Sequence, residues 1–179
     1  MPTSGWLGTR RALGWWQAST ERETIMVDVS KNEKALSNLE ALCRGELAAV
    51  ETYNTALSSA SLGSFRPQLI QCQRSHQNRV HLLGWRIHLL GGTPPESSGA
   101  WGVFAKAVEG AATVIGEKAA ISALEEGEDH GLNEYRTRLA ELDSDTQDFI
   151  QARVLPAQTE THGIARALKL GMAHAPAKA

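Results

Sequence analysis

Four stretches of this chain carry apolar residues at the alternating three- and four-residue spacing of an amphipathic helix, and each sets a carboxylate, a histidine or both into its apolar stripe. The residues are Glu46, His76, Glu125 with Glu128, and His162. A lone charge is costly to bury, so such groups are normally paired or bound to a metal. Carboxylates and imidazoles converging from four helices are how a bundle builds a di-metal site in its core. The pattern therefore predicts an all-α four-helix bundle with a polar centre.

The capping box Ser30–Glu33 predicts the start of a first helix over 31–60, with Leu36, Leu39, Leu42, Glu46, Ala49, Tyr53 and Leu57 on one face. After a turn at Gly63 and Ser64, a second helix over 66–90 carries Leu69, Cys72, His76, Val80, Leu83, Ile87 and Leu90, and stops at Gly91-Gly92. A long crossover follows, with a short apolar helix from Trp101 to Val114 broken at Gly116. Its length suits a return along the bundle rather than a hairpin. A third helix over 117–142 uses Ile121, Leu124, Glu125, Glu128, Leu132, Tyr135 and Leu139. A fourth over 145–171 uses Ile150, Val154, Thr161, Ala165 and Leu168, with Pro156 expected to kink it. The domain reading is a disordered N-terminal extension over 1–29, the bundle over 30–172 and a disordered tail over 173–179. No internal repeat is evident at this level.

The net charge of −2 and a pI near 6.3 leave no electrostatic footprint for nucleic acid. No apolar run approaches the ~18 residues a membrane span needs. Arg10-Arg11 resembles the start of a twin-arginine export signal, but the apolar segment that should follow breaks off at Gln17, Ser19 and Glu21. Cys43 and Cys72 read as small buried hydrophobes, and a reducing, cytoplasmic setting is the expectation. A homo-oligomer is expected, most simply a dimer.

Glu46 and Tyr53 stand two turns apart on one face, and Glu125 and Glu128 are neighbours on another. Two like charges half-buried together repel unless a cation sits between them. At the rise of an α-helix, Glu125 and Glu128 match Gln158 and His162 in height, whereas Glu46 and His76 differ by roughly 8 Å. His81 would match in height but faces sideways. The expected ligands are Glu46, His76, Glu125, Glu128 and His162, supported by Tyr53, Gln73, Gln158 and His130. Gly127 allows either a close helix approach or a local kink.

The segment Ala119–Tyr135 resembles the third helix of the DUF2383 family of bacterial proteins with a ferritin-like four-helix bundle. Ser75-His76-Gln77-Asn78-Arg79-Val80, Leu90–Pro94, Gly99–Gly102 and Leu155–Gln158 resemble it as well. The resemblance spans about 31–170, and implies a ferritin-like fold and a stress- or metal-related role. Rubrerythrins are similar in a narrower way: Glu46 with Tyr53, and the pair Glu125 and Glu128, resemble their di-iron ligands. Where that family carries E-x-x-H and E-x-x-x-H, this chain has Gln73-x-x-His76 and Gln158-x-x-x-His162. An amide is a weak ligand for hard di-iron chemistry. Two functions are therefore expected to compete. One is a ferritin-like protein with a degenerate core site for one or two ions of Fe, Mn or Zn, a metal-dependent oxidoreductase if it is an enzyme. The other is a non-catalytic helical interaction protein with a relict polar core.

Overall fold

The computed structural model describes residues 10–99, 103–112 and 116–173. It is all-α: α1 (Arg10–Ser58), α2 (Arg66–Leu89), α3 (Val103–Gly110), α4 (Glu117–Leu139), α5 (Ser144–Arg153) and α6 (Leu155–Ala173). There is no strand among the described residues, and no helix among them is long and apolar enough to cross a membrane. Trp101 and Val114 of the expected short helix, and residues 174–179 of the tail, lie outside the described residues.

Helix α1 does not open at the Ser30–Glu33 box. It is continuous from Arg10, because no glycine or proline between Gly14 and Gly45 offers a stop. It also ends earlier than the apolar pattern implies. Ser58 closes it, and Ala60–Phe65 turn as a 3-10 segment into α2, where Pro67 occupies the first turn. With α1 ending at Ser58 and α2 starting at Arg66, Glu46 and His76 lie at similar distances from their helix ends and the expected height mismatch is absent. The fourth predicted helix is two helices. The break falls at Val154, and Pro156, which has no N–H to donate, sits in the first turn of α6. Asp143 caps α5 by accepting from the Thr146 N–H at 3.0 Å.

Side-chain bonds fix the helix directions. Tyr53 meets Glu128 while Tyr135 meets Glu46, so α1 and α4 are antiparallel. Asn32 meets Leu90 while Gln73 meets Asn54, so α1 and α2 are antiparallel too. Helices α2 and α4 therefore run the same way, and α3, in the connection between them, packs on both α1 and α4. Gly116, at φ +102, makes the turn into α4 in a conformation that favours glycine.

Two apolar clusters lie along the bundle. One gathers Leu39, Leu42, Leu83, Ile87, Ile150 and Val154, and the other Ala56, Leu62, Leu69, Ile121 and Leu124. Each fully buried Leu or Ile contributes about 1.5–3 kcal/mol. Tyr135 belongs to the first cluster and Tyr53 to the second, and their hydroxyls point into the polar layer between them.

Candidate functional site

That polar layer draws two residues from each of four helices: Glu46 and Tyr53 from α1, His76 and Arg79 from α2, Glu128 and Tyr135 from α4, Gln158 and Thr161 from α6. All are buried, and Arg79 is 0 % exposed. His76 bridges the carboxylates, with Nδ1 2.7 Å from Glu46 Oε2 and Nε2 3.0 Å from Glu128 Oε1. Arg79 Nε donates to Glu46 Oε1 at 2.8 Å, and its Nη2 to Gln158 Oε1 at 2.9 Å. Tyr135 donates to Glu46 at 2.6 Å and Tyr53 to Glu128 at 2.7 Å. Gln158 Nε2 and the Thr161 hydroxyl both donate to Glu128 Oε2, at 3.0 and 2.8 Å. No buried side-chain nitrogen or oxygen among the described residues lacks a partner.

The charge states follow from these contacts. Burial alone would raise the Glu46 carboxyl, but the charges of Arg79 and His76 and their hydrogen bonds outweigh it and hold the group near 2. Burial also opposes ionisation of Glu128, and His76 and the Tyr53 hydroxyl bring it below its ordinary value. His76 is raised: burial disfavours its charge, and the two carboxylates more than restore it. Arg79 Nη2 also lies 2.6 Å from His76 Nδ1, which cannot both accept there and donate to Glu46. The two carboxylates, which raise the ring's pKa, favour a ring protonated on both nitrogens, so that the approach of Arg79 Nη2 to Nδ1 is a contact between two donors rather than a hydrogen bond. The centre then holds two negative and two positive charges and is neutral. The cysteine thiols stay protonated, Cys43 near 11 and Cys72 near 12, chiefly by burial.

The layer is internally duplicated, a repeat that hydrophobic patterning alone does not expose. One offset carries Glu46 to Glu128, Tyr53 to Tyr135, His76 to Gln158 and Arg79 to Thr161. It also carries Gly45 to Gly127 and Leu42 to Leu124. The bonds repeat with the residues: His76–Glu46 pairs with Gln158–Glu128, Arg79–Glu46 with Thr161–Glu128, and each tyrosine serves the other hairpin's glutamate. A cavity of about 60 Å³ opens between α1 and α4 over this layer, and the same offset relates its walls, Gly45 and Ala49 facing Gly127 and Gly131. Gly127 thus lines a cleft and α4 runs through it unbroken. Close approach occurs at Gly131, where a Cβ would meet the Gln158 amide nitrogen at 3.1 Å.

Of the five expected ligands, three come together: Glu46, His76 and Glu128. Glu125 leans away toward α6 and pairs with Lys169. His162 meets Asp129 at 2.6 Å, outside the layer, because Thr161 takes the inward position. Among the supporting residues Tyr53 and Gln158 are in the layer, Gln73 binds Asn54 on the outside, and His130 is half-buried at the cleft. Arg79, Tyr135 and Thr161 are additions.

A di-metal centre does not fit this donor set. Gln158 offers an amide, Glu125 and His162 are engaged elsewhere, and a guanidinium already stands against Glu46 and His76, where it would repel an ion. Among the described residues no group of three or more His, Cys, Asp or Glu side chains is disposed to hold a metal ion.

The architecture and its layer define an all-α helical-bundle protein with a duplicated, charge-compensated polar core. Residues 34–141, more than half of the chain, match the family described as Domain of unknown function (DUF2383), and the chain belongs to that family. No curated protein and no solved structure matches it.

Proposed function

We propose that this protein is a metal-independent helical-bundle module that acts by binding rather than by redox catalysis. The reading rests on one observation: the buried Arg79 guanidinium supplies, from within the chain, the cation that two buried carboxylates require. The network fixes the register of four helices, as buried polar groups with exact partners can do. The expectations of a cytoplasmic, dimeric protein without a nucleic-acid partner accompany this reading.

A second reading keeps the sequence-based expectation of one bound Fe, Mn or Zn ion near Glu46, His76 and Glu128, which would require Arg79 to move aside and the imidazole to turn, since the two carboxylates meet its opposite nitrogens. Elemental analysis of protein purified without a metal-affinity tag separates the two. The first predicts trace metal in both the native protein and Glu128→Ala. About one equivalent in the native protein, lost in the variant, would establish the second.

A further inference from the structure

The cleft between α1 and α4 has walls almost without side chains: Ala41, Gly45, Ala48 and Ala49 on one side, Gly127 and Gly131 on the other. Its floor is the polar layer, and that floor has little left to offer water. Glu46 accepts hydrogen bonds from His76, Arg79 and Tyr135, and Glu128 from Tyr53, His76, Gln158 and Thr161. A carboxylate has about four acceptor sites, so these bonds nearly saturate the pair. A water held in a cavity needs about two to four polar partners, and here they are taken. The lining therefore suits an apolar occupant. The volume of about 60 Å³ sets its size: at about 10–15 Å³ for each water-sized group, it admits roughly four to six non-hydrogen atoms.

The same pair of helices already accepts a group of this kind. Helix α3 packs on both α1 and α4, and its Val108, 0 % exposed, joins the apolar cluster of Tyr53, Ala56, Ala120, Ile121 and Leu124. Tyr53 and Leu124 also line the cleft, so the seat of Val108 and the cleft adjoin along one groove. We propose that the α1–α4 cleft binds a small, uncharged aliphatic molecule of four to six carbons. The proposal deepens the binding reading above, and rests on it, by naming the class of ligand. A charged ligand is disfavoured, because the neutral centre beneath offers no net counter-charge for an ion that would have to leave water.

The test titrates the native protein, carbon-labelled at its alanine methyls, with cyclopentane and follows the methyl resonances by NMR. Saturable shifts are expected at Ala41, Ala48 and Ala49, which line the cleft. The expected dissociation constant is on the order of 1 mM, the affinity that about five well-packed non-hydrogen atoms supply. Gly45 provides the comparison, since a Cβ there meets nothing within 4 Å and an added side chain grows into the cleft without displacing a neighbour. Gly45→Leu should weaken binding on the order of 10-fold or more by occupying the same space. Gly45→Ala should weaken it about fourfold, the share of one methylene, and carries the comparison if Gly45→Leu does not fold. No saturable shift, shifts spread evenly over both apolar clusters, or an affinity unchanged in the folded Gly45 variants would overturn the proposal and leave the metal-independent reading intact. Stoichiometric metal in the native protein is the separate result that overturns that reading.

Discussion

Replacing Glu46 by glutamine removes the acceptor that holds Arg79, His76 and Tyr135 together, and its cost can be worked from the structure. The carboxyl moves from an ordinary 4.5 to about 2 in the folded chain. At about 1.36 kcal/mol per pH unit, that is on the order of 3 kcal/mol of stability from this one group. The side chain is 3 % exposed, so solvent screening takes little away. Because the folded value is depressed, the contribution is complete above 4.5 and is lost as pH falls through the interval down to about 2. Glu46→Gln should therefore be about 3–5 kcal/mol less stable at pH 7, the cost of leaving a buried partner charge uncompensated. The gap between native and variant should shrink by roughly 3 kcal/mol on going to pH 2, since the native protein gives up there what the variant never had. Urea unfolding at half-unit pH steps measures both. A gap that stays constant from pH 7 to pH 2.5 would refute the assignment of an ionised, doubly paired Glu46.

Three further outcomes follow from the same geometry. His76 is raised above 6.5, so its contribution is complete below 6.5 and declines as pH rises through its folded value. Stability should fall there by up to about 1.4 kcal/mol per pH unit, and His76→Gln, copying Gln158, should flatten that limb in thermal or urea titrations. Tyr53→Phe and Tyr135→Phe each remove a hydrogen bond to an ionised carboxylate and should each cost about 1.5–3 kcal/mol by urea midpoint, whereas a cost confined to one of them would contradict the duplicated frame. Gly92→Ala would place a Cβ 2.6 Å from Leu36 Cδ2 and 2.9 Å from Ile87 Cγ2 and should lose about 1–3 kcal/mol, while Gly45→Ala, whose Cβ meets nothing within 4 Å, should gain about 0.5–1 kcal/mol.

The bundle and half of its centre were legible in the sequence because apolar stripes at helical spacing leave few other architectures, and Glu46, His76 and Glu128 interrupt those stripes. Arg79 was hidden by the same periodicity. The alternation after His76 admits either position 79 or position 80, and hydrophobicity favours Val80, since arginine is seldom fully buried unless paired. The structure chooses Arg79 because two carboxylates wait for it and leaves Val80 half-buried at the edge. The choice between Thr161 and His162 went the same way: the histidine looked like a ligand, yet the hydroxyl faces Glu128. The duplication was obscured because the Glu–Tyr spacing survives in both halves while the second helix of each hairpin has diverged, His76 and Arg79 against Gln158 and Thr161. Helix ends were the least legible, since the long α1 and the 3-10 turn after it depend on the absence of stops and on packing around Leu62.

The most direct test of a core completed by its own arginine is the unfolding free energy of the native protein, measured once in excess chelator and once with millimolar zinc or manganese. An ion held only by the folded chain adds about 2.7 kcal/mol when present at a hundred times its dissociation constant. The two curves should superimpose. A stabilisation of that size by metal, abolished in Glu128→Ala, would contradict the account.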